Sequence, residues 1–270
     1  MGKRVESASS INTFQQCNRK YYYQYIEKLP TSPSIHTVRG NIAHSTLEHF
    51  YALDVRGFTY EDYKKNFSTA LQRLYLEQWG NYREELLSLK MNQQELSFYF
   101  EETLVMLMNW STFFFQELQE KIQAGCSIEE AFVQISPETE VEFQSEKYSV
   151  RGFVDAIRHA GDEVHIIDYK TNAKSEIKDS IKLQLGVYSL LYEDTFGKFP
   201  DKVGVFFLKD RLYMLPVDLS LIETAKEAIM NIHLQTSNTE SITDYKRNIT
   251  PLCKWKNGQC DFYAVCKPHG

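Results

Sequence analysis

SVRGFVDAIRHAGDEVHIIDYKTN, residues 149–172, alternates apolar and polar side chains on either side of a short polar break containing Gly161. A period of two over residues 148–157 and again over 163–170 predicts two antiparallel strands joined as a hairpin. With His159, Ala160, Gly161 and Asp162 as a four-residue turn, Asp155 faces Ile166, and alternation places Asp155, Asp168 and Lys170 on one face. Asp155 and Asp168 are then diagonal neighbours roughly 7 Å apart between backbones, close enough for both carboxylates to reach one cation. Asp168 and Lys170 also close an apolar run, VHII, where a buried charge needs a reason. For Asp-x-Lys alone, a solvated polar hairpin is the competing explanation, because a three-residue pattern is common.

The flanking sequence supplies the rest of an α/β architecture. A strand is expected over 138–144, before the hairpin; after it come a helix over 177–196, strands over 203–209 and 211–217, and a helix over 219–234. Upstream, residues 9–29 read as one helix carrying Cys17, with Ser9 or Ser10 as N-cap and Pro30 closing it. TSPSIHTVRG then reads as a loop, and residues 41–53 as a helix that puts His44 and Glu48 on one face. Residues 60–79 and 92–124 have amphipathic spacing, and their aromatic stripe is read as core, with a single-strand path along this layer as the alternative. Residues 236–250 are polar and loop-like and lead into a cysteine-rich tail.

The chain has 270 residues, 43% of them hydrophobic, and a net charge of −6. That charge argues against a general nucleic-acid binder, which usually carries a basic excess. A nuclease escapes the argument, since it needs clustered carboxylates for its metal and only a local basic strip for phosphates. Hard oxygen ligands favour Mg²⁺ or Mn²⁺, which polarise a phosphate and activate water, and Lys170 would orient that water or offset charge in the transition state. Glu140, Glu142 and Glu146 add acidity nearby, with nothing to select one of them. Apolar stretches are too short to span a membrane, and MGKRVESASS lacks the apolar segment of a secretory signal, so a cytoplasmic location is expected.

Five cysteines in such a chain suggest metal or redox chemistry rather than a disulfide framework. Cys253, Cys260 and Cys266 lie in the last 18 residues without the C-x2-C knuckle of a zinc ribbon; Cys17 is the fourth candidate ligand, and Cys126 stands apart. Joining residue 17 to residues 253–266 would close a loop of nearly the whole chain. It would also bring Arg19, Lys20, Tyr21, Tyr22 and Tyr23 near Lys254, Trp255, Lys256, Tyr263 and Lys267, a mixture that suits single-stranded DNA; an ordinary amphipathic helix end and a charged tail explain it equally.

Gly40-Asn-Ile-Ala-His44 with Glu48, then Gly152-Phe-Val-Asp155, then Asp168-Tyr169-Lys170, then Gln184 and Tyr188 in QLGVYSLLY resemble, in order and spacing, the motifs of the RecB-like PD-(D/E)XK nucleases. The resemblance covers residues 9–266. It implies a restriction-endonuclease-like mixed central sheet flanked by helices, in one nuclease domain made of N-terminal helices (about 1–59), a helical insertion (about 60–135), a catalytic core (about 136–236) and a cysteine-rich tail (about 237–270). It further implies a DNA nuclease, an exonuclease or flap-type enzyme on single strands, with Mg²⁺ or Mn²⁺ held by His44, Asp155, Asp168 and the Tyr169 carbonyl. Lys170 would be the catalytic lysine, Gln184 and Tyr188 would position it or the substrate, and Glu48 would orient His44 or meet a second metal.

The cysteines resemble those of the iron-sulfur subgroup, which includes AddB-type and CRISPR-associated RecB-like nucleases. That likeness implies a 4Fe-4S cluster on Cys17, Cys253, Cys260 and Cys266, with zinc as the alternative. The six residues between Cys253 and Cys260 depart from the subgroup's shorter spacing. Helicase or CRISPR adaptation proteins are the implied partners, and the chain has no Walker-type phosphate loop of its own. A nonenzymatic iron-sulfur or zinc module that binds single strands is the competing function.

Overall fold

The computed structural model describes residues 4–172, 174–237, 239, 241–256 and 258–267. Met1–Lys3, at the head of the segment read for a signal, residues 238 and 240 of the polar stretch, and Asn257 of the Cys253–Cys260 spacer lie outside them. In chain order the elements are α1 (Ala8–Gln16), α2 (Asn18–Tyr21, continued by a π-helical turn Tyr22–Ile26), α3 (Ile35–Tyr51), α4 (Tyr63–Asn81), α5 (Arg83–Ser88), α6 (Gln93–Gln123) and α7 (Ile128–Ile135). Strands β1 (Glu138–Ser145), β2 (Val150–Ala160) and β3 (Glu163–Lys170) follow, then α8 (Asp179–Phe196), β4 (Lys202–Phe207), β5 (Leu212–Pro216) and α9 (Leu219–Thr236). The tail forms a two-stranded ribbon, β6 (Lys254–Trp255) and β7 (Gly258–Gln259), and a short helix α10 (Tyr263–Cys266).

The first five strands make one sheet in sequence order. Only the β3–β4 step is parallel, and α8 is the crossover that such a step requires. Helices cover both faces. Ile11 of α1, Leu185 of α8 and Ile229 of α9 share one core with Val164 and Ile166 of β3. Phe50 of α3, Phe67 of α4 and Trp110 and Phe114 of α6 belong to the second core, with Ile167 and Tyr169 of the same strand. A strand covered on both faces reads as a nearly continuous apolar run, which is why VHII stands out. This is the restriction-endonuclease-like mixed sheet expected, and the aromatic stripe of the insertion is core, with Phe67, Trp110 and Phe114 at most 1% exposed.

Several local expectations need correction. The first helix is capped by Ser7, not Ser9 or Ser10, and breaks at Cys17, whose backbone is extended. Cys17 therefore sits between two helices rather than on one. Six of the ten residues of TSPSIHTVRG are already helical, because Ser34 accepts a hydrogen bond from the Thr37 N–H and starts α3 six residues before Asn41. Two short helices, α5 and α7, were not expected. The Ser127/Glu130 capping box that starts α7 is legible in the sequence. Among the described residues, no helix is long and apolar enough to cross a membrane.

Candidate active and metal site

Gly161, with φ +66°, allows a turn of only two residues, so Ala160 pairs with Glu163 in place of the four-residue turn expected. The register moves by two positions. That shift keeps Asp155, Asp168 and Lys170 on their expected face but changes who is opposite whom. Ala156↔Ile167 is the last β2–β3 pair, and Asp155 and Asp168 are the next residue on each strand, opposed rather than diagonal. Asp155 Oδ2 accepts a hydrogen bond from the Tyr169 N–H at 2.7 Å. Both aspartates are buried, Asp168 almost completely.

His44 reaches the same place from α3. Its Nε2 lies 2.9 Å from the Tyr169 carbonyl, which can only accept, so the proton is on Nε2. Nδ1 is then left facing Asp155 Oδ1 at 3.3 Å and Glu140 Oε1 at 3.9 Å. A lone pair cannot rest against two carboxylates, so a proton, on the ring or on one of the acids, or a cation lies between them. Burial opposes the charged ring, but Asp155 and, behind it, Asp168 outweigh that and hold His44 up to about 9.

Glu140 is the site residue that the sequence alone did not select. It lies between the pairs Thr139↔Ala156 and Val141↔Val154, hence opposite Asp155, with φ +49°, a conformation that side chains other than glycine rarely take. The strain brings a third acid to the site. Burial, together with the charge of Asp155, pushes its carboxyl up to about 7, and Glu48, one turn beyond His44, adds to that push. Ligand atoms of His44, Glu140 and Asp155 all lie within 4.8 Å of one another. The β1–β2 register singles out Glu140; Glu142 and Glu146 are exposed.

Lys170 Nζ lies 3.0 Å from Asp168 Oδ1 and 2.7 Å from Oδ2, but only the first contact has hydrogen-bond geometry. Oδ2 is buried and, among the described residues, meets only the Lys170 ammonium, as an ion pair without hydrogen-bond geometry. Lys170 also donates to Gln184 Oε1 at 3.0 Å, and Gln184 Nε2 donates to the Tyr188 hydroxyl at 2.7 Å. Burial works against the ammonium, yet Asp168 prevails and raises Lys170. Asp168 is itself raised by burial. The chain Asp168–Lys170–Gln184–Tyr188 needs α8 close against β2, and Gly152 permits it: a Cβ there would meet the Tyr188 ring at 3.0 Å. The donor set, one imidazole nitrogen and the carboxylate oxygens around it, fits a divalent cation.

Cys17, Cys253, Cys260 and Cys266 line one cavity of about 360 Å³ between the N-terminal and C-terminal segments, with Tyr23 and Phe262 among its walls. The long spacer is folded back as the β6–β7 ribbon, where the Cys260 N–H donates to the Cys253 carbonyl at 3.0 Å. Among the described residues no three of the sulfurs gather within 4.8 Å. A tetrahedral zinc site, with Zn–S of about 2.3 Å, needs sulfurs about 3.8 Å apart. The aromatic expectation requires correction here: Tyr21 and Tyr23 are buried, Tyr21 donating to Glu6 at 2.6 Å, so neither offers a face to bases. Trp255 is half exposed.

The PD-(D/E)XK nuclease superfamily matches residues 6–267. The CRISPR-associated exonuclease Cas4 of Francisella tularensis subsp. novicida (strain U112) is 27% identical over 123 residues, 46% of this chain. The match spans 59% of that relative's length. The crystal structure of a candidate exonuclease from Eubacterium rectale superposes with a TM-score of 0.50 at 12% identity, covering 98% of this chain and 94% of that one, a likeness of fold. With the family match over nearly its whole length and the Asp-x-Lys pair at the end of β3, the chain belongs to the PD-(D/E)XK nuclease superfamily.

Proposed function

We propose that the protein is a metal-dependent DNA nuclease that digests single strands, as an exonuclease or flap-type enzyme. The observation that carries this reading is the gathering of His44, Glu140 and Asp155 ligand atoms within 4.8 Å of one another, beside the buried Asp168–Lys170 pair. Mg²⁺ or Mn²⁺ would be held by His44, Asp155, Asp168 and Glu140, with the Tyr169 carbonyl alongside. A divalent cation there would polarise the phosphodiester and acidify a water. Lys170, kept charged by Asp168 and aimed by Gln184, donates to the phosphoryl oxygens as negative charge develops. Tyr188 fixes Gln184 in turn.

The four thiols on one cavity support a structural 4Fe-4S cluster that ties the two ends of the chain together. The likeness to a CRISPR-associated exonuclease supports a nuclease role; on this reading the substrate is DNA and the partner a CRISPR adaptation complex or a helicase. The test is digestion of end-labelled single- and double-stranded DNA with Mg²⁺, Mn²⁺ or chelator. Wild type should degrade single strands only with metal, and Asp168→Ala and Lys170→Ala should not. Wild-type rates in either variant, or salt-sensitive binding without any product, overturn the reading.

A further inference from the structure

Resting on the metal site proposed above, we infer that Arg39 is a positioning residue that sets His44 for the cation. β2 leaves β3 after Ala156↔Ile167, so the carbonyls of Tyr169 and Thr171 have no strand partner on that edge, while the intervening Lys170 carbonyl is taken by the Leu208 N–H of the β4 side at 2.9 Å. α3 replaces the missing strand. His44 Nε2 donates to the Tyr169 carbonyl at 2.9 Å, and Arg39 Nη2 donates to the Thr171 carbonyl at 3.0 Å. These two rungs bracket Lys170. One rung alone is a pivot; two fix the height and rotation of α3, and with them the direction in which Nδ1 points.

The guanidinium is built into this place. Arg39 is 3% exposed, bonded to Glu102 of α6 and set 5.3 Å over the Tyr99 ring. Lys209 Nζ holds the other Glu102 oxygen at 2.6 Å. Gly40, the next residue, lies close enough to Thr171 that a Cβ would sit 3.7 Å from its Oγ1. A buried guanidinium so costly to desolvate, placed one rung from a metal-ligand histidine, is matched to orientation more than to bulk stability.

The test is Mn²⁺ titration of the full chain followed by electron paramagnetic resonance, well below the melting temperature. Partners that orient a ligand change metal affinity about 10- to 100-fold. Arg39→Met should weaken Mn²⁺ at least tenfold and Arg39→Lys less, while Leu71→Ala, a core truncation on α4, should leave the affinity unchanged at a comparable loss of stability. If Arg39→Met does not fold, Glu102→Gln, which removes the counter-charge and keeps the arginine, should weaken Mn²⁺ at least threefold. Wild-type affinity in the folded Arg39→Met or Glu102→Gln protein, or equal weakening in Leu71→Ala, overturns the inference. A wild type that binds no Mn²⁺ overturns it together with the metal site; one that binds Mn²⁺ but cuts no DNA overturns only the nuclease reading.

Discussion

Asp155 divides its two oxygens between the backbone and the site: Oδ2 accepts from the Tyr169 N–H at 2.7 Å, and Oδ1 lies 3.3 Å from His44 Nδ1. Charge and hydrogen bonding can therefore be separated. Asp155→Asn keeps an acceptor for Tyr169 and relieves the repulsion on Glu140, so it should unfold at a denaturant concentration close to wild type while losing Mn²⁺ binding. Asp155→Ala strands the Tyr169 N–H in the interior and should cost about 1–3 kcal/mol. Equal destabilisation by both substitutions in urea melts would show that the Tyr169 bond contributes nothing.

Lys170, half-buried, is paired with the almost completely buried Asp168, so removing it leaves a buried carboxylate without its ion-pair partner. Lys170→Met should abolish metal-dependent cleavage and destabilise the protein by about 3–5 kcal/mol at neutral pH. The double variant Lys170→Met/Asp168→Asn should recover much of that stability and none of the activity. Paired chemical melts and digestion assays read both, and a double variant no more stable than the single one contradicts the pairing.

How much of this was legible in the sequence can be seen from three residues. Asp168 and Lys170 announce themselves because they end an apolar strand buried on both faces. Glu140 does not, since its place depends on the β1–β2 register, in which Ser145 pairs with Val150, and on a left-handed backbone in β1, neither of which alternation encodes. Arg39 is likewise hidden: its partners Glu102 and Thr171 lie 63 and 132 residues away. The break at Cys17 was masked by helical spacing on both sides of it.

Acidity makes the metal-free protein sensitive to pH in a defined direction. His44, at about 9 in the fold against an ordinary 6.5, contributes stability that is complete below 6.5 and lost as pH rises through 9. Glu140, at about 7 against 4.5, carries no penalty below 4.5 and its full penalty above 7. Both groups bind more protons folded than unfolded, so stability of the chelated protein should fall as pH rises from 5 to 9. Mn²⁺ replaces those protons. Its affinity should therefore rise over the same range, with proton release visible by calorimetry in buffers of different ionisation enthalpy. A chelated protein whose melting temperature climbs between pH 6 and 9 contradicts the assignment.

The tail supplies the last prediction. Cys17 lies at a helix break where the Asn248 N–H donates to its sulfur at 3.4 Å, and Cys253 and Cys260 are brought side by side by the ribbon between them. With a cluster bound, the cross-link from residue 17 to residues 253–266 restrains almost the entire unfolded chain, and such long closures stabilise most. Protein purified without oxygen should absorb near 400 nm and contain iron and sulfide. Cys17→Ser should bleach it, lower the melting temperature and open the segment after α9 to protease, whereas Cys126→Ser should do none of these, because Cys126 packs against the helical core far from the cavity walls. A colourless wild type carrying one zinc, with the same tail protection, would replace the cluster by a single ion and require the sulfurs to close in from the spacing seen here.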